Sequence, residues 1–214
     1  MRPSRTSRKE ILRKLSQVFR RDGYTGASLA DLANAVGLGK ASLYQKFPDG
    51  KAQMGAEVLA EIGRSFETEV LAPMREPGPV DARFAKMLAG ARKFYDDGKL
   101  SCTLDTLSLG EAGRLYQEAL SQAIKHWRDA LTDLGQEAGL PPTRATAWAE
   151  NVVITIEGAL VLARAGNDPN IFRRALKRLS QGSASRIADS KQGGSGEGEG
   201  SAAPLKIPHS FFNS

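Results

Sequence analysis

The stretch that decides the fold of this chain is Gly23–Phe47, which reads GYTGASLADLANAVGLGKASLYQKF. Ser28 is a suitable N-cap for a short helix, and Asp31 stands in its first turn, where the helix dipole favours an anion. Gly37 interrupts that helix, and a second short helix is predicted over Lys40–Phe47. Two short helices joined by a glycine turn indicate a helix-turn-helix, whose second helix enters a DNA major groove.

The apolar residues of this stretch are spaced to fix the angle between the two helices from inside, and they are Leu29, Leu32, Val36, Leu38, Leu43 and Phe47. The second helix begins with Gly39, Lys40, Ala41 and Ser42. Small side chains at this end let the backbone approach DNA closely, and the backbone N–H groups there favour phosphate.

A longer helix is predicted on each side of this unit. Before it, Ser7 and Glu10 have the form of a capping box, and apolar residues follow at helical spacing until Asp22-Gly23. After it, Pro48-Asp49-Gly50 is a turn, and a helix is predicted from Lys51 to about Leu71, ended by Pro73.

Helical patterns continue to about residue 180. Apolar residues recur over 84–95, 115–134 and 171–179, whereas 143–165 is apolar nearly all round, so that helix must be covered on most sides. The stretch 100–110 is predicted to be irregular. No alternation typical of strands is long enough to count, so the predicted fold class is all-α.

Composition divides the chain into three parts. A helix-turn-helix DNA-binding domain is predicted over residues 1–50 and a helical domain over 51–186. A flexible Gly/Ser-rich tail is predicted over 187–214.

The net charge of +6 is concentrated at one end of the chain. Residues 1–52 contain eleven Lys/Arg and four Asp/Glu, a net +7, whereas the remainder carries −1. A basic segment on a near-neutral body indicates a polyanionic partner, with double-stranded DNA favoured. The alternative is a solubilising face with a disordered basic tip. Arg5 and Arg8 fit either a minor-groove arm or disordered charge.

Residue counts exclude several classes of site. One cysteine, Cys102, excludes an intrachain disulfide and a zinc ribbon, and two histidines are too few for most His-based metal sites. There is no Ser/His/Asp set, acidic metal cluster or Gly-rich phosphate loop, so we expect no catalytic residue, metal or cofactor and no enzyme activity. No uncharged apolar run approaches the ~18 residues of a membrane span, so we expect a cytoplasmic protein without a membrane partner.

The run from Gly23 to Phe47 resembles the N-terminal domain of the tetracycline-repressor (TetR) family of bacterial regulators, and Pro48–Lys51 looks like the turn of its LmrA/YxaF-like subgroup. The resemblance implies that Ser28, Tyr44 and Lys51 hold phosphates and that Lys40, Ala41, Ser42 and Gln45 face base edges or nearby phosphates. Two positions depart from the family pattern. Gly39 replaces the usual Ser/Thr cap of the recognition helix, and Gln45 stands where many members have His.

The same resemblance implies a homodimer made by the last two helices of each subunit. The residues assigned to that interface are Val153, Ile156, Gly158, Leu160, Phe172, Ala175, Leu176 and Leu179. It also implies a pocket for a small hydrophobic inducer. The lining assigned to the pocket is Phe84, Met87, Phe94, Leu104, Leu107, Trp127, Trp148 and Val152, with Asn151 and Thr155 as polar handles.

The functional prediction is a sequence-specific regulator, in the first place a repressor, that an inducer releases from a palindromic operator. An activator, or a regulator without a small ligand, fits the same residues. A basic protein that binds DNA or membrane surfaces non-specifically is the alternative, and salt-sensitive binding without sequence preference would identify it. Cys102 is predicted to be a buried apolar residue rather than a redox sensor.

Overall fold

The computed structural model of the protein describes residues 7–184 and residue 188. These residues form ten α-helices and no strand, as predicted. The helices are α1 (Arg8–Gly26), α2 (Leu29–Val36), α3 (Lys40–Lys46), α4 (Gly50–Phe66), α5 (Val80–Phe94), α6 (Thr103–Leu107), α7 (Gly110–Leu115), α8 (Gln117–Glu137), α9 (Pro142–Ala165) and α10 (Asn170–Gln181). The predicted tail, apart from Ala188, and Arg5 lie outside the described residues.

The ends of α1 and α4 differ from a simple helix. Gly23 has φ 69° and ψ 178°, so the regular part of α1 ends where Asp22-Gly23 predicts, and one further turn follows before Ala27. Beyond Phe66, α4 widens into a single π turn at Glu67–Leu71, and the 3-10 turn Ala72–Arg75 contains Pro73. The predicted helix from 51 to 71 is therefore continuous only as far as Phe66.

The buried residues form two clusters. The first, here called the head cluster, contains the apolar faces of α1 to α4 together with Leu107, Ala112, Tyr116 and Leu120. The second, the body cluster, is built from α5, α8, α9 and α10 and from the turns after α4 and before α6. The packing of the head therefore continues past residue 50, because residues of α6 to α8 complete its core.

The apolar face predicted for the start of α8 is wrong. Leu115 is 49% exposed and Ala119 and Ala123 are exposed, whereas Tyr116 and Leu120 are buried. Tyr116 has φ −115° and separates α7 from α8. Because one residue between two helices resets their phase, a pattern read continuously through the break selects the wrong face.

Helix α9 is long and apolar enough to cross a membrane, judged by length and composition alone. In the described structure it is the central helix of the body and packs against α8 and α10. Its buried residues include Ala145, Ala149, Val152 and Ile156. The apolar composition is therefore explained by burial among helices.

Candidate nucleic-acid interface

The turn between α2 and α3 depends on Gly37. This residue has φ 69° and ψ 33°, and its N–H bonds to the carbonyls of Ala33 and Asn34. Leu38 N–H also bonds to Ala33 O, at 3.0 Å. No atom lies within 4 Å of a Cβ placed on Gly37, so glycine is required here by the left-handed backbone and not by space.

Two buried side chains hold α3 against the head cluster, and its other side chains are exposed. Leu43 and Phe47 are fully buried beneath it. Gly39 is its N-cap, without a side-chain cap hydrogen bond. The exposed residues on this surface are Gly39, Lys40, Ala41, Ser42, Tyr44, Gln45 and Lys46. Six of the eight residues predicted to contact DNA therefore form one accessible row.

The other two predicted contacts are engaged within the protein. The Ser28 hydroxyl accepts from Asp31 N at 3.1 Å, and the Asp31 carboxylate accepts from Ser28 N at 3.3 Å, which completes a capping box for α2. The hydroxyl also donates to that carboxylate at 2.5 Å. The Lys51 ammonium donates to Ala27 O at 3.0 Å and lies 4.5 Å from the centroid of the Tyr24 ring. Both residues hold the start of α2, and phosphate contact by either stays a prediction.

Arg8 fixes the far end of α3. Its guanidinium forms two hydrogen bonds to Glu57 of α4, at 2.8 and 2.5 Å, and donates to Lys46 O at 2.9 Å. It also lies 3.8 Å from the centroid of the Phe47 ring. The Arg8 guanidinium lowers the pKa of Glu57 by hydrogen bonding. Arg8 is therefore neither disordered charge nor a free arm, since it joins α1, α3 and α4.

The far end of α4 lies in an aromatic cluster of the body. The Phe66 ring packs edge-on against Phe94 and Trp127, with centroids 5.2 and 4.9 Å apart. In the π turn, Glu67 accepts from His126 of α8 at 2.8 Å and pairs with Arg75. Helix α4 therefore contacts α3 at one end and the body aromatics at the other.

Tyr116, which separates α7 from α8, packs against α1 and α4. Its hydroxyl donates to Ala52 O at 2.8 Å, and its ring packs edge-on against Tyr24, with centroids 5.9 Å apart. A Cβ on Gly55 would lie 2.2 Å from the Tyr116 hydroxyl oxygen, so α4 needs glycine at this crossing.

The residues predicted to line a ligand pocket are mostly packed core. Phe84, Met87, Trp127, Trp148 and Val152 are buried in the body cluster, Phe94 and Leu104 are partly buried against it, and Thr155 is half-buried. Two of the predicted residues lie outside the body cluster: Leu107 belongs to the head cluster, and Asn151 is exposed, so a pocket role for either stays a prediction.

Two clefts on the described surface, of about 160 and 420 Å³, share only Phe84 with the predicted pocket. Phe84 lines the smaller cleft, together with Asp81, Ala85, Ser180 and Ser183. The larger cleft is formed by the polar end of α5. In this conformation the aromatic residues of the body therefore pack against one another instead of enclosing an open site.

The predicted dimer residues also need correction. Seven of the eight are buried within one subunit, namely Val153, Ile156, Leu160, Phe172, Ala175, Leu176 and Leu179. Side chains with so little exposed surface have almost nothing left to bury against a partner. Gly158 is exposed, and the exposed large apolar residues of α9 are Ile154, Val161 and Leu162. The face of α9 predicted to meet a partner is therefore packed within the subunit, and the position of the dimer interface stays a prediction.

Sequence reasoning missed two polar residues between head and body, of which Arg20 is buried and Glu157 is half-buried. Glu157 of α9 has a buried Oε1 atom without a hydrogen-bond partner, and burial raises its pKa to about 7. Arg20 of α1 is 9% exposed and donates from Nε to Thr103 Oγ1 at 3.1 Å. An acid within the apolar run of α9 was a visible signal. Arg20 gave none, because only the tertiary contacts distinguish it from the exposed Arg21.

Comparison with known families accounts for both parts of the chain. Residues 11–58 match the family described as bacterial regulatory proteins, tetR family. Residues 79–178 match the family described as transcriptional regulator LmrA/YxaF-like, C-terminal domain. The chain is 27% identical over 170 residues to the HTH-type transcriptional regulator LmrA of Bacillus subtilis (strain 168), across 73% of this chain and 86% of that protein.

Solved structures share the fold at lower identity. A TetR transcriptional regulator from Legionella pneumophila superposes with a TM-score of 0.72 at 20% identity, covering 85% of this chain and 99% of that one. A cysteine mutant of the TetR family transcriptional regulator CifR, complexed with 26-bp double-strand operator DNA, superposes with a TM-score of 0.59 at 16% identity. That comparison covers 91% of this chain and 100% of the other.

Proposed function

Because the chain belongs to the TetR family and is a DNA-binding transcription regulator rather than an enzyme, we propose that it is a homodimeric repressor. In this proposal the dimer binds a near-palindromic operator, and a small apolar molecule releases it. The observation that carries the proposal is the row 39–46 on α3, where every residue except buried Leu43 is exposed. Such a helix is held by its buried side chains and presents its exposed side chains to a DNA groove.

The proposed contacts divide into positioning and reading. Tyr44 is 44% exposed, and its ring lies against Gly50 at the start of α4, where it can reach a phosphate beside the groove. Lys40 and Gln45 are free to meet base edges. A lysine pairs with guanine O6/N7, and a glutamine can form two hydrogen bonds to adenine. Phosphate contacts set the register, whereas base contacts supply sequence preference.

Selection of bound duplexes from a random DNA pool at ~150 mM salt tests the proposal directly. We expect a palindromic motif whose half-sites are about 34–36 Å apart, one helical turn of DNA. Salt-sensitive binding without a motif would overturn the repressor proposal in favour of a non-specific basic binder.

We expect Lys40→Ala to weaken operator binding by about 1–3 kcal/mol because it removes one exposed contact. Fluorescence anisotropy with the selected operator measures the loss. Thermal unfolding should be unchanged, because Lys40 is exposed and makes no contact with the core. Lys99→Ala is the matched control on the body, and it should leave operator affinity unchanged. A collapsed melting curve for Lys40→Ala would contradict its placement on the reading surface.

The proposed dimer face is the exposed apolar side of α9. Ile154 is 68% exposed and Leu162 59%, and Gly158 lies between them on the same side. Glycine at the centre of such a stripe lets a second helix approach closely. A second copy of the chain is the occupant we propose, because two recognition helices at a fixed separation are what a palindrome requires.

We expect Ile154→Glu to prevent dimerisation and to reduce operator binding, because each subunit would place a carboxylate in the apolar contact. Sedimentation equilibrium measures the molecular mass, and circular dichroism checks that the monomer keeps its helices. Thr143→Glu introduces the same charge at an exposed residue in the first turn of the same helix and should leave the dimer intact. An Ile154→Glu dimer as stable as the parent would place the interface elsewhere.

The proposed release mechanism uses α4. A ligand that separates Phe94 or Trp127 would move Phe66, which lies against both rings, and hence the far end of α4. At its near end, α4 holds α3 through Glu57 and Arg8. A thousandfold loss of operator affinity requires about 4 kcal/mol of coupling between the two sites. We place the protein in the cytoplasm, where its operator is.

A further inference from the structure

The junction between head and body contains a buried cation without a counterion. Arg20 extends from α1 into the body, where it is 9% exposed. Its Nε donates to the buried Thr103 hydroxyl, and its guanidinium lies 5.2 Å from the centroid of the Phe94 ring. Within residues 7–184, Arg20 forms no ion pair. Burial lowers its pKa, which is the direction expected when desolvation of a charge is not offset by a carboxylate.

Glu157 of α9, an acidic residue near this junction, is not the counterion of Arg20. Glu157 is associated with Cys102 and Tyr95, whose hydrogen bonds act on its pKa, and Arg20 is not among the groups that shift it. Tyr95 itself donates to Cys102 Sγ at 3.6 Å. Burial raises the pKa of the Cys102 thiol to about 12 and that of Tyr95 well above its usual value, so both are neutral.

The Arg20 guanidinium has N–H donors that no hydrogen bond within the described residues uses. Of its five N–H bonds, one is used, on Thr103. The buried side-chain atoms without a partner in the described chain are Arg83 Nε, Trp127 Nε1, Glu157 Oε1 and Ser183 Oγ, so the outer nitrogens of Arg20 are not sealed from solvent. A buried unpaired charge is costly to retain, whereas an anion that reaches it recovers that cost.

We propose that Arg20 is the anchor of an effector site at the head–body junction, and that the effector is a small organic monocarboxylate with an apolar body. The guanidinium fork accepts a carboxylate through two parallel hydrogen bonds. A single negative charge neutralises the single cation, whereas a phosphate dianion would leave one charge uncompensated among Phe94, Tyr95 and Cys102. The apolar part of the effector packs beside Phe94, whose ring also touches Phe66 of α4.

This inference rests on the proposed function, since it identifies the chemistry of the molecule that releases the operator. A carboxylate bound at Arg20 acts on α1 directly and on α4 through Phe94 and Phe66. Because linkage is reciprocal, the carboxylate weakens operator binding by the same factor as the operator weakens carboxylate binding.

The test is a panel of acetate, benzoate, phenylacetate and octanoate, each compared with its neutral amide, at up to ~10 mM, where even a fragment-sized ligand binds. We expect the aromatic or medium-chain acids to raise the melting temperature of the full chain and to weaken operator binding at least ~tenfold. The amides should do neither, and phenyl phosphate should act more weakly than benzoate.

Two variants locate the effect. Arg20→Gln should abolish the carboxylate response while leaving the melting temperature no lower than that of the parent, because it removes an unpaired buried charge. Arg21→Gln makes the same change at the neighbouring exposed arginine and should keep the full response. Arg20→Lys retains the charge without the fork and should respond more weakly than the parent.

Each contrary outcome is distinguishable. If no acid in the panel acts on the parent protein, or if Arg20→Gln responds like the parent, the effector site is wrong. A sharp fall in the melting temperature of Arg20→Gln would show that Arg20 is structural, which also overturns the inference. Absence of sequence-specific operator binding by the ligand-free parent would instead overturn the proposed repressor function.

Discussion

Gly90→Ala should destabilise the protein by about 3 kcal/mol or more, at the upper end of overpacking effects. A Cβ on Gly90 would lie 2.0 Å from the carbonyl oxygen of Glu69 and 3.4 Å from Val70 Cα. Both neighbours are backbone atoms of the π turn that follows α4, so no side chain can rotate away. Helix α5 would have to move off the turn, and contacts of the body cluster would be lost.

Gly63→Ala is the matched control, because it makes the same change within α4 where nothing lies within 4 Å of the new Cβ. There we expect a gain of about 0.5–1 kcal/mol from helix propensity and reduced freedom of the unfolded chain. Thermal melts at equal protein concentration compare the two variants. For a chain of this size, Gly90→Ala should lower the melting temperature by about 6–12 °C. Equal melting temperatures would mean that α5 does not approach the π turn so closely.

Glu157→Gln should stabilise the protein at alkaline pH by up to about 3 kcal/mol and have little effect near pH 5. Burial raises the pKa of Glu157 to about 7 from its usual 4.5. The folded state therefore binds more protons than the unfolded state between about pH 4.5 and 7, so the contribution of Glu157 to stability falls as pH rises through that window. Above pH 7 the full difference in stability between Glu157→Gln and the parent protein is present. Glutamine keeps the shape without the charge.

Denaturant unfolding of parent and variant at several pH values measures this difference. Six carboxylates with a lowered pKa, among them Glu57 and Asp168, act in the opposite direction at lower pH. They are common to both proteins and cancel in the comparison. Glu150→Gln makes the same change on an exposed face of α9 and is the control. A difference that does not vary with pH for Glu157→Gln would contradict the burial of its ionised form.

The head of this protein was predictable because its determinants are local. Ser28 and Asp31 cap α2 through neighbouring atoms, Gly37 supplies a backbone angle that other residues avoid, and Leu43 and Phe47 lie four apart on one face. Each of these effects acts within a few residues, so the sequence indicates it without reference to the rest of the chain. The all-α class and the exposed row on α3 follow from the same local rules.

The body was less predictable, because its faces are chosen by distant partners. The sequence predicted that α9 is covered on most sides, but only packing against α8 and α10 decides that Ile156 is inside and Ile154 outside. Likewise, Arg8 and Lys51 read as charges for phosphate or solvent, and the structure pairs them with Glu57 and Ala27 O.

Taken by itself, the sequence determined the helical class, the helix-turn-helix and the exposed row on its second helix, since capping, turn geometry and helical spacing are properties of consecutive residues. Tertiary structure alone decided which apolar faces remain exposed and which charges are held within the protein. Within the described residues, it also decided that Arg20 is buried without a counterion and that half-buried Glu157 has one buried oxygen without a hydrogen-bond partner. These features depend on residues brought together from distant parts of the chain. The free-energy cost of a charge at the head–body junction is determined by its burial and not by its residue type.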